Sequence, residues 1–237
     1  WRFTGNELKY VTDVIASGEG SSTSGNYNSL FEKEFAKKCG AKYAVTFNSG
    51  TSTLHAALHA LGVGYGDEVI IPPVTVISNF DVTVAANAIP VFADVDPETF
   101  NICPKEIEKK ITSKTKAIMP VSVYGLSCDL DPIMELADKH NLFVINDAAE
   151  AHGATYKGER VGNFGDVSNF SFYYAHHLST IEGGMICTDD EETYRVLRML
   201  RSHGMVREIG NEEEQQKWLL DNPELNPQFI FQTKGYL

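Results

Sequence analysis

The chain has 237 residues, 43% hydrophobic and 22% charged, with a formal net charge of −12. This is enough apolar length to bury one large core. The acidic balance excludes a nucleic-acid or anionic-membrane partner that reads a basic face, but leaves room for a local pocket of amides and hydroxyls that takes a phosphate.

Gly18 to Asn28 is rich in Gly, Ser and Asn and reads as a loop. Leu30, Phe31, Phe35 and Ala36 then recur at helical spacing, with Gly40 as the stop. Tyr43 to Phe47 reads as a strand that feeds Asn48-Ser49-Gly50-Thr51-Ser52 and a helix from Leu54 to Leu61. Glu68 to Ile71 is a second strand, stopped by Pro72-Pro73. Val74 to Asn87 is rich in β-branched residues, and its position favours helix. Pro90 to Ala93 is a strand, Pro104 to Ile111 a helix with Pro in its first turn, and Ala117 to Val121 a strand. A helix over Asp131 to His140 leads to a strand over Leu142 to Ile145. Val167 to Tyr173 and Met185 to Thr188 are the last strands, and Asp190 to Ser202 is a helix. The polar, acidic stretch Glu208 to Asn226 reads as a solvated helix or mobile loop. Short apolar strands alternating with helices predict an α/β fold with a mostly parallel sheet covered by helices on both faces.

Four places carry candidate chemistry. A strand that runs into Gly50, Thr51 and Ser52 and then a helix presents free amides and hydroxyls to one spot, where the helix dipole favours an anion. The same residues also make an ordinary N-cap, and both readings stand. Asp147 ends an apolar strand, where α/β sheets place ligands, or is simply a turn former. His152 stacks on a ligand or packs in the core. His176 and His177 lie between aromatics and Glu182-Gly183-Gly184. Neighbouring histidines in an extended chain point to opposite faces, so this pair does not share a metal. The four cysteines, Cys39, Cys103, Cys128 and Cys187, form no CxxC pair. They read as reduced thiols of a cytoplasmic enzyme, and no metal is assigned. No run of about 18 apolar residues occurs, so no transmembrane helix is expected. Trp1 to Gly5 has no signal-peptide layout.

With those residues in hand, the chain resembles the DegT/DnrJ/StrS family of pyridoxal-phosphate sugar aminotransferases. The resemblance rests on Asn48 to His55, Gly66 to Ile70, Pro90 to Asp96, Asn146 to Gly153, Gly165-Asp166, Ser171-Phe172 and Glu182 to Gly184. It implies a type I, aspartate aminotransferase-like large domain over residues 1–237, with an N-terminal segment and without the family's C-terminal small domain. It also implies a homodimer, pyridoxal or pyridoxamine 5′-phosphate as cofactor, and nucleotide-linked keto sugars as substrates. By position, Asp147 pairs with the cofactor's ring nitrogen. Gly50, Thr51, Ser52 and Ser171 hold its phosphate, and Glu150 lies near its phenolic oxygen. Val76 stands where the family stacks an aromatic on the ring, and Ile181 where it has Gly.

The largest departure is His176, which stands where the family's cofactor-tethering lysine belongs. An imidazole forms no covalent link to the cofactor, but it moves protons near neutral pH. The 3-dehydratase branch of the family has His at this position in a similar Ser-Phe-Tyr-x-x-His-His segment and uses pyridoxamine phosphate without a covalent bond. The resemblance therefore implies C3 dehydration of a nucleotide-linked 4-keto-6-deoxyhexose with His176 as acid/base. One alternative is a nucleotide-sugar aminotransferase homologue whose lysine is replaced by His, with glutamate as amino donor. Another is a non-catalytic regulator that binds cofactor or sugar.

Overall fold

A computed structural model describes residues 3–18, 26–205, 208, 212–221 and 223. The first helix, α1 (Glu7–Ser17), ends at Gly18, whose left-handed backbone caps it. Its apolar residues Leu8, Val11 and Ile15 are exposed. The sequence pattern did not predict this helix, although those three residues share one helical face. Of the loop expected over Gly18 to Asn28, residues 19–25 lie outside the described residues, and Asn26 already begins α2 (Asn26–Cys39). That helix stops at Gly40, which has φ 80°, as the sequence predicts.

β1 (Tyr43–Phe47) leads into α3 (Gly50–Ala60), and β2 (Glu68–Ile71) into α4 (Ser78–Ala85). α4 is helical as expected but begins four residues later than the predicted start at Val74, because the Pro72-Pro73 exit runs on as loop. β3 (Ile89–Phe92), α5 (Pro104–Lys110), β4 (Thr115–Ile118), α6 (Leu130–His140) and β5 (Phe143–Asp147) follow. β4 closes two residues before Pro120, which has no N–H to give the ladder. A hairpin, β6 (Thr155–Tyr156) and β7 (Glu159–Arg160), turns through Lys157 and Gly158, both at positive φ. This is the backbone that a two-residue hairpin turn requires. β8 (Val167–Ser171), β9 (Gly184–Thr188), α7 (Glu191–Arg201) and α8 (Glu212–Asp221) complete the described elements. Within the acidic stretch expected as helix or loop α8 is helical, and residues 209–211, 222 and 224–226 lie outside the described residues.

The strands form a seven-stranded sheet in the order β1-β9-β8-β5-β4-β2-β3. Pairings from β8 to β3 are parallel, whereas β9 runs antiparallel to both β8 and β1. β3 is an edge strand, which is why Pro90 fits inside it.

Alternate residues of the central strands face opposite sides. Val69, Ile71, Ala117, Met119 and Ile145 pack with α3, α4 and Leu197 of α7. Ile70, Ile118 and Val144 pack with Ile107 of α5 and Leu130 and Ile133 of α6. A third cluster joins Phe35 of α2 to Phe170 and Cys187. Helices thus cover both faces, and each fully buried Leu or Ile contributes roughly 1.5–3 kcal/mol. The parallel pairing from β8 to β3 puts the carboxyl ends of those five strands at one edge. Among the described residues, no helix is long and apolar enough to cross a membrane.

Candidate active site

The carboxyl ends of β5 and β8 and the N-terminus of α3 open onto one cavity of about 650 Å³. Its lining includes Gly50, Thr51, Asp147, Glu150, Ser171 and His176. This is the crevice where open α/β sheets take their ligands, and it is large enough for a drug-sized molecule.

Asp147 is the last residue of β5 and is buried, with 2% of its surface exposed. Its Oδ2 accepts from Asn79 Nδ2 at 3.0 Å, and its Oδ1 from Asn169 Nδ2 at 2.7 Å and the Ala149 N–H at 3.1 Å. Burial pushes its carboxyl above the ordinary value, while these three donors act in the opposite direction. Desolvation is the larger effect, so the carboxylate gains from a cation brought into the cavity. Asn79 is itself held by the Thr75 hydroxyl, which donates to Asn79 Oδ1 at 2.7 Å. Thr53 of α3 bonds Asn169 Oδ1 and so links the helix to the same network. Asn79, Asn169 and Thr53 were missed by the sequence reasoning. All three are fully or almost fully buried, and their polar neighbours in the chain give no local signal of it.

The start of α3 is built by Ser49, whose Oγ accepts from the Ser52 N–H at 3.0 Å. That is an N-cap, with Ser49 as the capping residue. Gly50 lies against Ser171: a Cβ on Gly50 would sit 2.7 Å from the Ser171 Cβ. Only glycine lets the helix N-terminus approach the serine hydroxyl this closely. Gly50, Thr51 and Ser171 therefore meet at one corner of the cavity. Ser52 does not join them, which corrects its expected place. Its hydroxyl donates to Asn48 Oδ1 at 2.6 Å, and it lines a separate cavity on the other side of the helix.

Glu150 accepts from the Tyr124 N–H at 2.7 Å through Oε2. This bond pins the loop that carries Tyr124, whose φ is 54°. Val76 lines the cavity and is 63% exposed, so no aromatic ring occupies the position where the family stacks one.

The two adjacent histidines separate as predicted. His176 lines this cavity, and its ring meets Tyr173 edge-on at 6.0 Å. His177 lines another cavity, beside Phe35, His152 and Leu178. His152 packs rather than stacks on a ligand site. It sits among Phe35, Phe170 and Phe172, and its Nε2 donates to the Ser171 carbonyl at 2.7 Å. Burial pulls its imidazole below the ordinary value. Among the described residues, no group of three or more His, Cys, Asp or Glu is arranged to hold a metal. The described lining of the active cavity contains neither lysine nor arginine.

Ile181, just before Glu182-Gly183-Gly184, has φ 74°. A β-branched residue in the left-handed region costs about 1–2 kcal/mol. Glycine relieves that strain but adds freedom to the unfolded chain worth about 0.5–1 kcal/mol. Ile181→Gly is therefore expected to stabilise the protein slightly, raising Tm by about 2–3 °C in a thermal melt. A fall in Tm counts against a strained segment here.

The chain matches the DegT/DnrJ/EryC1/StrS aminotransferase family over residues 2–221. It belongs to this family. It is 48% identical over 204 residues to the GDP-perosamine synthase of Caulobacter vibrioides, covering 86% of this chain and 55% of that protein. An aminotransferase from Psychrobacter cryohalolentis superposes with a TM-score of 0.81 at 43% identity, over 86% of this chain and 52% of the other. NtdA of Bacillus subtilis, solved with bound cofactor PMP, gives a TM-score of 0.79 at 32% identity, over 86% of this chain and 46% of that one. A variant of GDP-4-keto-6-deoxymannose-3-dehydratase with bound GDP-perosamine gives 0.79 at 33%, over 86% and 54%. The chain spans about half the length of the relatives it matches.

Proposed function

We propose that the protein holds pyridoxal or pyridoxamine 5′-phosphate in this cavity without a covalent bond. With it, the protein dehydrates a nucleotide-linked 4-keto-6-deoxyhexose at C3. The observation that carries this reading is the donor set. A buried carboxylate, an open helix N-terminus and an imidazole share one cavity whose described lining has no lysine. Similarity to a solved 3-dehydratase supports it.

The residues present fit the cofactor. Gly50 leaves the close approach to Ser171 that a phosphate site needs, and Asp147 is a buried acid in want of a cation. When bound, the cofactor supplies an amine for the sugar's C4 ketone and a ring that stores an electron pair as the C3 hydroxyl leaves. Asp147 would hold the proton on the ring nitrogen, and that cation would offset the carboxylate's desolvation. The amides of Gly50 and Thr51 and the Ser171 hydroxyl bind the phosphate at the positive end of α3. Glu150, held by the Tyr124 N–H, stands by the phenolic oxygen. His176 would serve as the acid/base that moves a proton at the cofactor's C4′ carbon and at the C3 hydroxyl. Val76, Tyr124 and Tyr173 line the cavity and are exposed. That apolar face supports a homodimer.

A second reading is favoured by the relatives, among them GDP-perosamine synthases and a dTDP-sugar transaminase. In it the protein descends from a glutamate-dependent aminotransferase whose lysine gave way to His176. The test is to incubate purified protein with pyridoxamine phosphate and a GDP- or CDP-4-keto-6-deoxyhexose. The expected product is the 3-deoxy sugar. A 4-amino sugar that keeps its C3 hydroxyl supports the second reading instead, and binding without conversion supports a non-catalytic role.

A further inference from the structure

On the far side of α3 from the active cavity, His55 and His59 stand one helical turn apart, both half-buried. Their Nε2 atoms converge to 3.1 Å, and their ring centroids lie 4.7 Å apart. They line a cavity of about 600 Å³ together with Asn48 and Ser52. We propose that this pair is a chelating site for one first-row divalent transition-metal ion.

The geometry carries the assignment. With metal–nitrogen bonds of about 2.0–2.1 Å, two nitrogens at this spacing subtend about 95–102° at the ion. That lies between the octahedral and tetrahedral angles, so both imidazoles bind one ion with little rearrangement. The i, i+4 spacing puts both rings on one face of a rigid helix, which fixes the bite in advance. The remaining positions go to water, for which the cavity has room, or to the oxygens of Ser52 and Asn48 on the same wall. Arg201 shares the cavity, but its charge is offset by Glu32, whose Oε1 lies 2.5 Å from Arg201 Nη1. Imidazole ligands suit copper, nickel and zinc, and with two protein ligands the affinities follow the general series with copper tightest.

Without a metal the pair is a hydrogen bond between one donor and one acceptor ring. The two states are separated by titrating Cu²⁺, Ni²⁺ and Zn²⁺ in turn into metal-stripped protein. One equivalent is expected to bind, Cu²⁺ most tightly. His55→Gln and His59→Gln, each of which keeps a good helix former, are expected to weaken binding by roughly tenfold or more, since one of two ligands is gone. His177→Gln is expected to leave it unchanged. Cu²⁺ bound to the wild type is expected to show coupling to two imidazole nitrogens in its electron paramagnetic resonance spectrum. Equal affinity in the wild type and both glutamine variants, coupling to a single nitrogen, or no saturable site would overturn the assignment.

Discussion

His176→Ala is expected to cut release of the 3-deoxy product by about 10²–10⁴-fold, the range for loss of a positioned general acid/base. Affinity for pyridoxamine phosphate should stay nearly unchanged. That is because the groups assigned to the phosphate and the ring nitrogen are on α3, β5 and β8, not on the His176 loop. The comparison is a single-turnover rate beside a cofactor titration. A variant that turns over as fast as wild type removes His176 from the chemistry. His176→Lys asks the converse. It returns an amine to the cavity and is expected to give a protein that gains the cofactor's mass covalently after borohydride reduction. No gain in mass would mean that the side chain at 176 does not reach the reactive carbon.

Asp147→Asn is expected to act in opposite directions on cofactor and fold. In the loaded protein it removes the charge proposed to hold the ring nitrogen's proton. Breaking one side of a buried ion pair costs about 3–5 kcal/mol, so affinity for pyridoxamine phosphate should fall by more than about a hundredfold. In the cofactor-free protein the same change relieves a desolvated carboxylate. The folded carboxyl titrates above its unfolded value of 3.8. Between those two values the unfolded chain is ionised while the folded chain holds its proton, so unfolding releases a proton. Stability therefore falls as pH rises through that window and is level above the folded value. Chemical denaturation across that window should show the slope in wild type and a shallower one in Asp147→Asn. The asparagine amide keeps one acceptor, but meets the Asn79 or Asn169 donor with its own N–H. Some of the gain in stability is thus lost to an unfavourable contact. A wild type whose apo stability rises with pH in that window, with the slope removed by Asp147→Asn, would mean that the hydrogen bonds outweigh burial.

The sheet was legible because its central strands are short apolar runs with turn residues at both ends. Val69 to Ile71 and Val144-Ile145 are buried on both faces and leave little choice of structure. The ends of elements were harder to read. Val74 to Ile77 has the composition of the helix that follows, and only the proline exit and the packing of α4 decide where that helix begins. α1 escaped notice because none of its residues is buried within this chain. Asp147 and Ser171 stood out in the sequence as single positions, and both line the cavity. The candidate site was not legible where one position has two sides. Ser52 follows Thr51 directly, but helical rotation of about 100° per residue turns its side chain to the opposite cavity. Asn79 and Asn169 come together on Asp147 from positions 90 residues apart. Nothing local in the sequence announces that meeting.

A cofactor cavity that binds without a tether is the central proposal. Its most direct test is to load the protein with pyridoxal phosphate, record the absorption spectrum, reduce with borohydride, and weigh the denatured chain. Bound cofactor in the native spectrum with an unchanged chain mass is the predicted result. A chain heavier by the reduced cofactor, with the added mass mapped to a lysine, would contradict it.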